Sequence, residues 1–524
     1  MISNRLANPA DAGHFESAVR ALVVALLTLP WLWPVAVGPT PAVLPWLVSL
    51  ACAVVAWWVL AWSPVRLPGA VMAAWVLAAV LSSLIGLLQY GGASAAWVPL
   101  VNTTPLGEAF GNLRQRNQFA TLTNIGLVSV MAWLAMAPRP GAAGALHARP
   151  AGWQQPGILV LVMLMAVANA ASSSRTGLLQ LATVVLMSVV WAPWRRPAVR
   201  TALLAALVAY GVAAFALPRL AGLDPWSSGI VARLQDGAPA CLSRLTLWSN
   251  VLHLITERPW TGWGWGALDQ AHFMAVYPGP RFCDILDNAH NLPLHLAVEL
   301  GIPVAVLVCG LLAAWVWRSH PWREASVVRQ LAWAVLALVA VHSLLEYPLW
   351  YGPFQIACCL ALGLLWTTRA RALAGAGSGA GAPPVAPTAG ARVVATALAL
   401  LALVATAYTA WDYRRVSQIY MAPASRAPGY RTQTLEKLQA SWLFARQVQF
   451  AELTMARLTP ENAAYFNAMA HRLLRFSPEP RVVEKIIDSA LLLGRADEAQ
   501  LYLARLEAAY PAAYAARLRA RAQP

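Results

Sequence analysis

Arg281 to Gly301 reads RFCDILDNAHNLPLHLAVELG, and the fold turns on how its two halves are taken. Asp284, Asp287, Asn288, His290, Asn291 and His295 crowd into a dozen positions. The apolar residues that follow begin a run reaching to about residue 317, long enough to enter a bilayer. Ionisable groups at membrane depth cost roughly 2.5–3.5 kcal/mol each on insertion scales, so their default reading is a functional site. His290 is therefore the candidate catalytic group. A neutral imidazole has a reference pKa near 6.5 and accepts a proton from a hydroxyl at neutral pH. Asp287 is placed to orient it, and Asn291 to support it. His295, five residues on, lies roughly 140° round a helix and is expected on another face. His253, His272 and His342 stand alone and read as packing or capping residues.

Outward from this stretch the chain is apolar. It is 59% hydrophobic and 11% charged over 524 residues, the composition of an all-α polytopic membrane protein. Apolar runs near span length fall at about 20–37, 42–62, 69–89, 117–137, 156–172, 177–193, 201–217, 293–317, 329–345, 353–368 and 392–411, which predicts about 11 transmembrane helices. No cleavable leader pattern appears, so the first run reads as a retained span.

The net charge of +16 fits short basic loops at a membrane and not a nucleic-acid partner. With a cytoplasmic N-terminus, Arg5, Arg20, Arg66, Arg139, Arg149, Arg195, Arg196, Arg200, Arg318, Arg323, Arg329, Arg369, Arg371 and Arg392 fall inside. Only Arg114, Arg116 and Arg175 fall in short outside loops. This bias places the long loop 218–292 and the tail 412–524 outside. The domains are then 1–411, spanning the membrane, and 412–524, a helical-hairpin domain. Ala490 to Pro511 reads as helix, Gly-Arg turn, helix, Pro stop, like a tetratricopeptide hairpin. The tail is expected to serve acceptor choice, or equally to cap the membrane domain. The linker Gly375 to Gly390 is rich in Ala, Gly and Pro and reads as flexible.

Three polar groups remain. Arg114 and Arg116 in NLRQRNQFA, Arg175 in SSSRTG and Arg244 at the start of a loop helix all fall at one face. Guanidinium matches phosphate oxygens bidentately, so the set points to a diphosphate leaving group. The competing reading is of interface anchors. Glu346 and Tyr347 open EYPLWY, where Pro348 is expected to end a helix. Both are placed to contact an acceptor hydroxyl or the lipid diphosphate. Cys241 and Cys283 lie in the outside loop, an oxidising compartment, and are the candidate disulfide. Cys52, Cys309, Cys358 and Cys359 lie in apolar runs and read as packing residues. No CxxC or Cys/His metal spacing occurs, so neither metal nor cofactor is expected.

RQRN before a span, SSSRTG, Arg244 followed by PWTGWGWG, DNAHN with Gly301 eleven residues after His290, and EYPLWY with an outside tail resemble the bacterial O-antigen ligase superfamily. The nearest branch is the PglL-type protein O-oligosaccharyltransferases. The resemblance implies a multispanning GT-C-like glycosyltransferase fold in the bacterial inner membrane. It implies en bloc transfer of a glycan from undecaprenyl diphosphate to Ser or Thr of periplasmic or pilin-like proteins, without metal. Carried over, His290 is the activating base, Arg175, Arg244 and Arg116 bind diphosphate, and Tyr347 is a second essential side chain. Lipid A core as acceptor, a growing polysaccharide, and a lipid or polysaccharide transporter are the alternatives. The polar groups cluster at one face instead of the bilayer midplane, which disfavours a transporter.

Overall fold

A computed structural model describes residues 9–63, 67–137, 154–235, 239–369 and 388–522. Arg5, Arg66, Arg139, Arg149, Arg371 and most of the linker lie outside the described residues. Within them every regular element is a helix. The helices are α1 (Pro9–Leu32), α2 (Val43–Trp62), α3 (Leu67–Tyr90), α4 (Arg116–Met136), α5 (Gln154–Ala171), α6 (Arg175–Val190) and α7 (Pro197–Leu220). Next come α8 (Gly229–Gln235), α9 (Arg244–Glu257), α10 (Leu268–Met274), α11 (Leu292–Leu300), α12 (Ile302–Ser319), α13 (Val327–Ser343) and α14 (Gly352–Thr367). The last are α15 (Ala389–Ser417), α16 (Ala445–Met455), α17 (Ala463–Leu474), α18 (Pro480–Leu492), α19 (Ala496–Ala509) and α20 (Pro511–Ala522).

Seven of these, α1, α2, α3, α4, α7, α12 and α15, are long and apolar enough to cross a membrane. The other four expected runs coincide with the shorter apolar helices α5, α6, α13 and α14. The chain is a multi-pass membrane protein. It divides into two compact units: Met1–Ala36, Ala42–Asp236 and Val316–Ala407 form the first, and Val37–Pro41, Gly237–Trp315 and Tyr408–Pro524 the second.

In the first unit α4 is the axis. It packs against α3, α5, α6, α7 and α13, and its residues from Asn117 to Ala132 are all buried. A helix apolar all round is at home only in such a position. α4 also carries Asn117, Thr121 and Asn124 on this buried surface. In lipid, helices associate by close packing and interhelical hydrogen bonds, the latter averaging about 0.6 kcal/mol. Thr121 Oγ1 lies 3.0 Å from Gln180 Oε1 and 2.9 Å from His342 Nδ1, joining α4 to α6 and α13. Gln180 Nε2 donates to the carbonyl of Leu338 at 2.8 Å. His342 thus serves a polar seam inside the bundle.

In the second unit α9, α10 and α11 share a core of Leu247, Val251, Leu254, Leu268, Leu286 and Val298. The apolar face of α9 is spent on this core. The tail helices α16 to α19 bury Leu453, Leu473, Val482, Ile486, Ile487 and Leu506 around a second core. Phe273 of α10 belongs to that same core and stacks on Tyr510. The loop and the tail therefore form one folded body. Gly494, at φ +70°, makes the expected turn between α18 and α19. Pro511 does not merely stop a helix; it opens α20, because its fixed φ suits a first helical position.

Two sequence expectations are corrected. The run 293–317 is not one helix: it breaks at Gly301 into α11 and α12. Gly301 has φ +87° and ψ 159°, and a Cβ there would sit 2.2 Å from the carbonyl oxygen of Trp260. The candidate span begins at Ile302. The second correction concerns α13, which ends at Ser343 and not at Pro348. The amides of Leu344 and Glu346 fold back onto Ala340 and His342, and Pro348–Trp350 form a separate 3₁₀ turn.

Candidate active site

In the second unit the His290 stretch is held from both sides. Asn291 caps α11, its Oδ1 accepting from the amide of Leu294 at 3.0 Å. Asn288 Oδ1 accepts from the amide of His290 at 2.8 Å. Between these two side-chain turns His290 takes φ +51°, in the left-handed region. A non-glycine residue there costs about 1–2 kcal/mol, and such strain concentrates at functional sites. Ala289, just before it, is fully buried, and its carbonyl accepts from Trp248 Nε1 of α9 at 3.1 Å. His290 itself is half-buried.

α9 is tied to the same loop twice more. Asn250 donates to the carbonyl of Pro280 at 3.0 Å and accepts from the amide of Phe282 at 2.8 Å. Cys241 and Cys283 are joined as a disulfide, with Cα atoms 5.3 Å apart. This cross-link sits three residues before Arg244, which opens α9 behind the capping hydroxyl of Ser243. Arg244, Asp287, His290 and Asn291 therefore belong to one scaffold.

The run RPWTGWGWG lies edge-on against α11. The amides of Trp263 and Gly264 donate to the carbonyls of Val298 and Glu299, both at 2.9 Å. Gly262, at φ +65°, comes so close that a Cβ would meet the Glu299 backbone at 2.4 Å. Gly262 and Gly301 thus allow two backbones to touch. The Glu299 carboxylate accepts from the amide of Gly266, just ahead of α10, at 3.0 Å.

Electrostatics follow from this packing. Protein around the carboxyl raises the Asp287 pKa, although Asp287 keeps an accessible surface; His290 acts in the opposite direction. His295 is pushed down to about 4 by burial and by His290. At neutral pH its contact with Glu299, 3.6 Å away, is thus a polar contact with an uncharged ring. The helical-wheel angle does not apply to His290 and His295, because α11 starts only at Leu292 and His290 lies outside it. Burial and Arg281 drive His272 down to about 3, and its ring bonds Tyr277 and Phe282, so it is a neutral packing residue.

In the first unit the remaining candidates group at helix ends. Arg116 is the first residue of α4, behind Gln115, whose side chain caps the helix. Arg175 is the first residue of α6, behind Ser174, whose Oγ accepts from the amide of Gly177 at 2.9 Å. Arg116 pairs with Glu108 at 3.3 Å. Arg114 is committed to protein as well, donating to the carbonyl of Pro34 and, at 3.2 Å, to Asn102. Arg175 is exposed. The carboxylate of Glu346 is buried and accepts from Asn117 at 3.0 Å. Tyr347 is half-buried, with its ring 5.2 Å from that of Trp350.

Arg116, Arg175 and Arg244 thus share one local design: a side-chain N-cap, then arginine at the first helical position. A cation at that end opposes the helix dipole. A helix N-terminus beside a guanidinium nonetheless suits an anion, since both present donors to it. Sequence reading missed Asn117, Ser174, Thr121 and Gln180. Their signal was available: polar amides and hydroxyls inside apolar runs, two of them adjoining the chosen arginines. Among the described residues no group of three or more His, Cys, Asp or Glu side chains has metal-binding geometry.

Fold and site together define an all-helical, multi-pass membrane protein whose polar groups gather at helix ends. Comparisons with known families give the rest. The O-Antigen ligase family matches residues 160–309, and the Protein glycosylation ligase family matches 109–135. The family described as Virulence factor membrane-bound polymerase, C-terminal, matches 330–523. A general O-oligosaccharyltransferase of Acinetobacter baylyi is 29% identical over 141 residues. That match covers 26% of this chain and 23% of the relative. Successive segments of the chain are thus similar to the O-antigen ligase and protein glycosylation ligase families.

Proposed function

We propose that this protein transfers a preassembled glycan from undecaprenyl diphosphate to a Ser or Thr hydroxyl of a protein acceptor. The observation that carries the reading is the placement of Arg175 and Arg244 at the first positions of α6 and α9. Each combines a guanidinium with helix-terminal amides, which suits diphosphate oxygens. In the proposed step His290 takes the proton from the acceptor hydroxyl. The freed oxygen bonds to the anomeric carbon of the first sugar, and the bond from that carbon to the phosphate oxygen breaks. Configuration inverts, and undecaprenyl diphosphate leaves with its charge stabilised by arginine. Asp287 acts on the His290 imidazole, and Tyr347 contacts the donor or the acceptor. The four shorter apolar helices complete about 11 spans, with His290 and the tail on the periplasmic side of a bacterial inner membrane. The tail, as helical hairpins, supports this face.

The match of the Protein glycosylation ligase family favours a protein acceptor. The match of the polymerase C-terminal family keeps a second reading, in which the acceptor is a sugar of a growing polysaccharide. Purified full-length protein would be given a lipid-diphosphate glycan with pilin-like protein, lipid A core or polysaccharide as acceptor. Transfer to protein alone supports the first reading, and transfer only to a sugar acceptor replaces it. His290→Ala should lose about 10²–10⁴-fold in rate, and undiminished turnover by this variant would remove His290 from the mechanism.

A further inference from the structure

Three of the candidate residues in the first unit are chain neighbours of three side chains that are bonded to one another. Asn117 follows Arg116, Ser174 precedes Arg175, and Glu346 precedes Tyr347. Ser174 Oγ donates to Asn117 Oδ1 at 2.6 Å, and Asn117 Nδ2 donates to Glu346 Oε1 at 3.0 Å. Ser174 is fully buried, while Asn117 is 9% and Glu346 7% exposed. Arg175, one position on, is exposed, and Arg116 and Tyr347 are half-buried. One residue of each pair thus turns into the bundle while its neighbour stays nearer the surface.

We propose that Asn117, Ser174 and Glu346 form a buried clamp of positioning residues, setting Arg175 and Tyr347, with Arg116, in fixed relation for binding the lipid diphosphate. This rests on the reading of Arg175 and Tyr347 as parts of the donor site. The clamp joins the start of α4, the start of α6 and the turn after α13. Asn117 is its centre, because its amide offers an acceptor to Ser174 and, on the other atom, a donor to Glu346. Ser174 has a second task, capping α6 through the amide of Gly177, so the bond that fixes the clamp also fixes the helix end bearing Arg175. An apolar trio of matching volume would hold three helices together with no buried polar group to satisfy. What the polar trio adds is directionality: its bonds have defined angles, so the helix ends meet in one arrangement.

The test uses full-length protein in lipid nanodiscs, with undecaprenyl diphosphate as the probe and thermal unfolding measured in parallel. Asn117→Ala should weaken probe binding about tenfold, as expected for losing bonds that include one to a carboxylate. Arg175→Ala should weaken it too. The double variant should lose less than the product of the two single losses, because part of the clamp's effect passes through that arginine. A merely structural role would instead multiply the two losses. Glu346→Gln, which keeps an acceptor for Asn117, should retain more binding than Glu346→Ala. This pair decides the matter if Asn117→Ala does not fold. Wild-type binding by Asn117→Ala beside a defective Arg175→Ala would overturn the clamp alone, as would multiplying losses or equal losses in both Glu346 variants. Wild-type binding by Arg175→Ala would overturn the donor-site reading and the clamp with it.

Discussion

Asp269 offers a test of the electrostatics around the His290 scaffold. It lies in the first turn of α10, and its pKa is raised from 3.8 to about 6. Burial is the largest cause, and the charges of Asp287 and Glu299 add to it. The amide of Gln270, donating to Asp269 Oδ1 at 2.7 Å, works the other way. A carboxyl whose folded pKa lies above its unfolded value binds protons more tightly in the folded state. Its favourable contribution is complete below about pH 3.8 and is lost as the pH rises through about 6. Asp269→Asn removes the charge and keeps an acceptor for Gln270. At about 1.4 kcal/mol for each tenfold change in proton affinity, the ceiling on its gain is about 3 kcal/mol. Asp269 keeps some contact with solvent, which lowers that to about 1–2 kcal/mol. Losing a negative charge at a helix start offsets another 0.3–1 kcal/mol or so. We therefore expect Asp269→Asn to be stabilised by about 1 kcal/mol at pH 7.5, a rise of roughly 2–4 °C. The gain should shrink through pH 6 and vanish below about pH 4. Thermal unfolding of both proteins in one detergent, at half-unit steps from pH 4 to 8, reads this directly. A gain independent of pH, or a wild type more stable at pH 7.5, would refute the reasoning.

Other consequences are open to direct measurement. Arg175→Lys and Arg244→Lys should bind a lipid-diphosphate glycan better than the alanine variants but below wild type, because an ammonium lacks the bidentate fork; titration of each against the donor checks it. Gly301→Ala should destabilise the second unit by about 3 kcal/mol or more, from strain plus the clash with Trp260, and unfolding at wild-type temperature would show that the two backbones part without cost. Cys241 and Cys283 should be recovered as one linked peptide by mass spectrometry of protein purified without reductant, and the double serine variant should lose about 2–4 kcal/mol. Truncation after Tyr413 should impair transfer to protein and to minimal peptide alike, because Phe273 of α10 loses its core; loss confined to protein acceptors would instead make the tail an acceptor selector.

Much of the architecture is legible in the chain itself. Long apolar runs must become helices in lipid, where every backbone amide needs an internal partner. The arginine, His290 and EYPLWY motifs stand out because polar residues are scarce around them. The start of α9 and the Gly-Arg turn at Gly494 also follow from local rules of capping and turn formation. The Asn117–Ser174–Glu346 clamp was less visible. Its members are ordinary residues of three distant segments, and each passes locally for a cap or a helix end.

What the sequence alone determines here is which segments are helices and which short motifs carry polar chemistry, because both follow from composition and spacing over a few turns. Only the tertiary structure decides that Gly262 and Gly301 bring two backbones into contact, breaking 293–317 in two. It alone puts Phe273 in the tail's core and His290 in a left-handed turn outside α11. The reason is physical. A helix forms from contacts three or four residues apart, whereas a close approach, a shared core or an interhelical bond depends on groups distant in sequence, whose meeting no local pattern records.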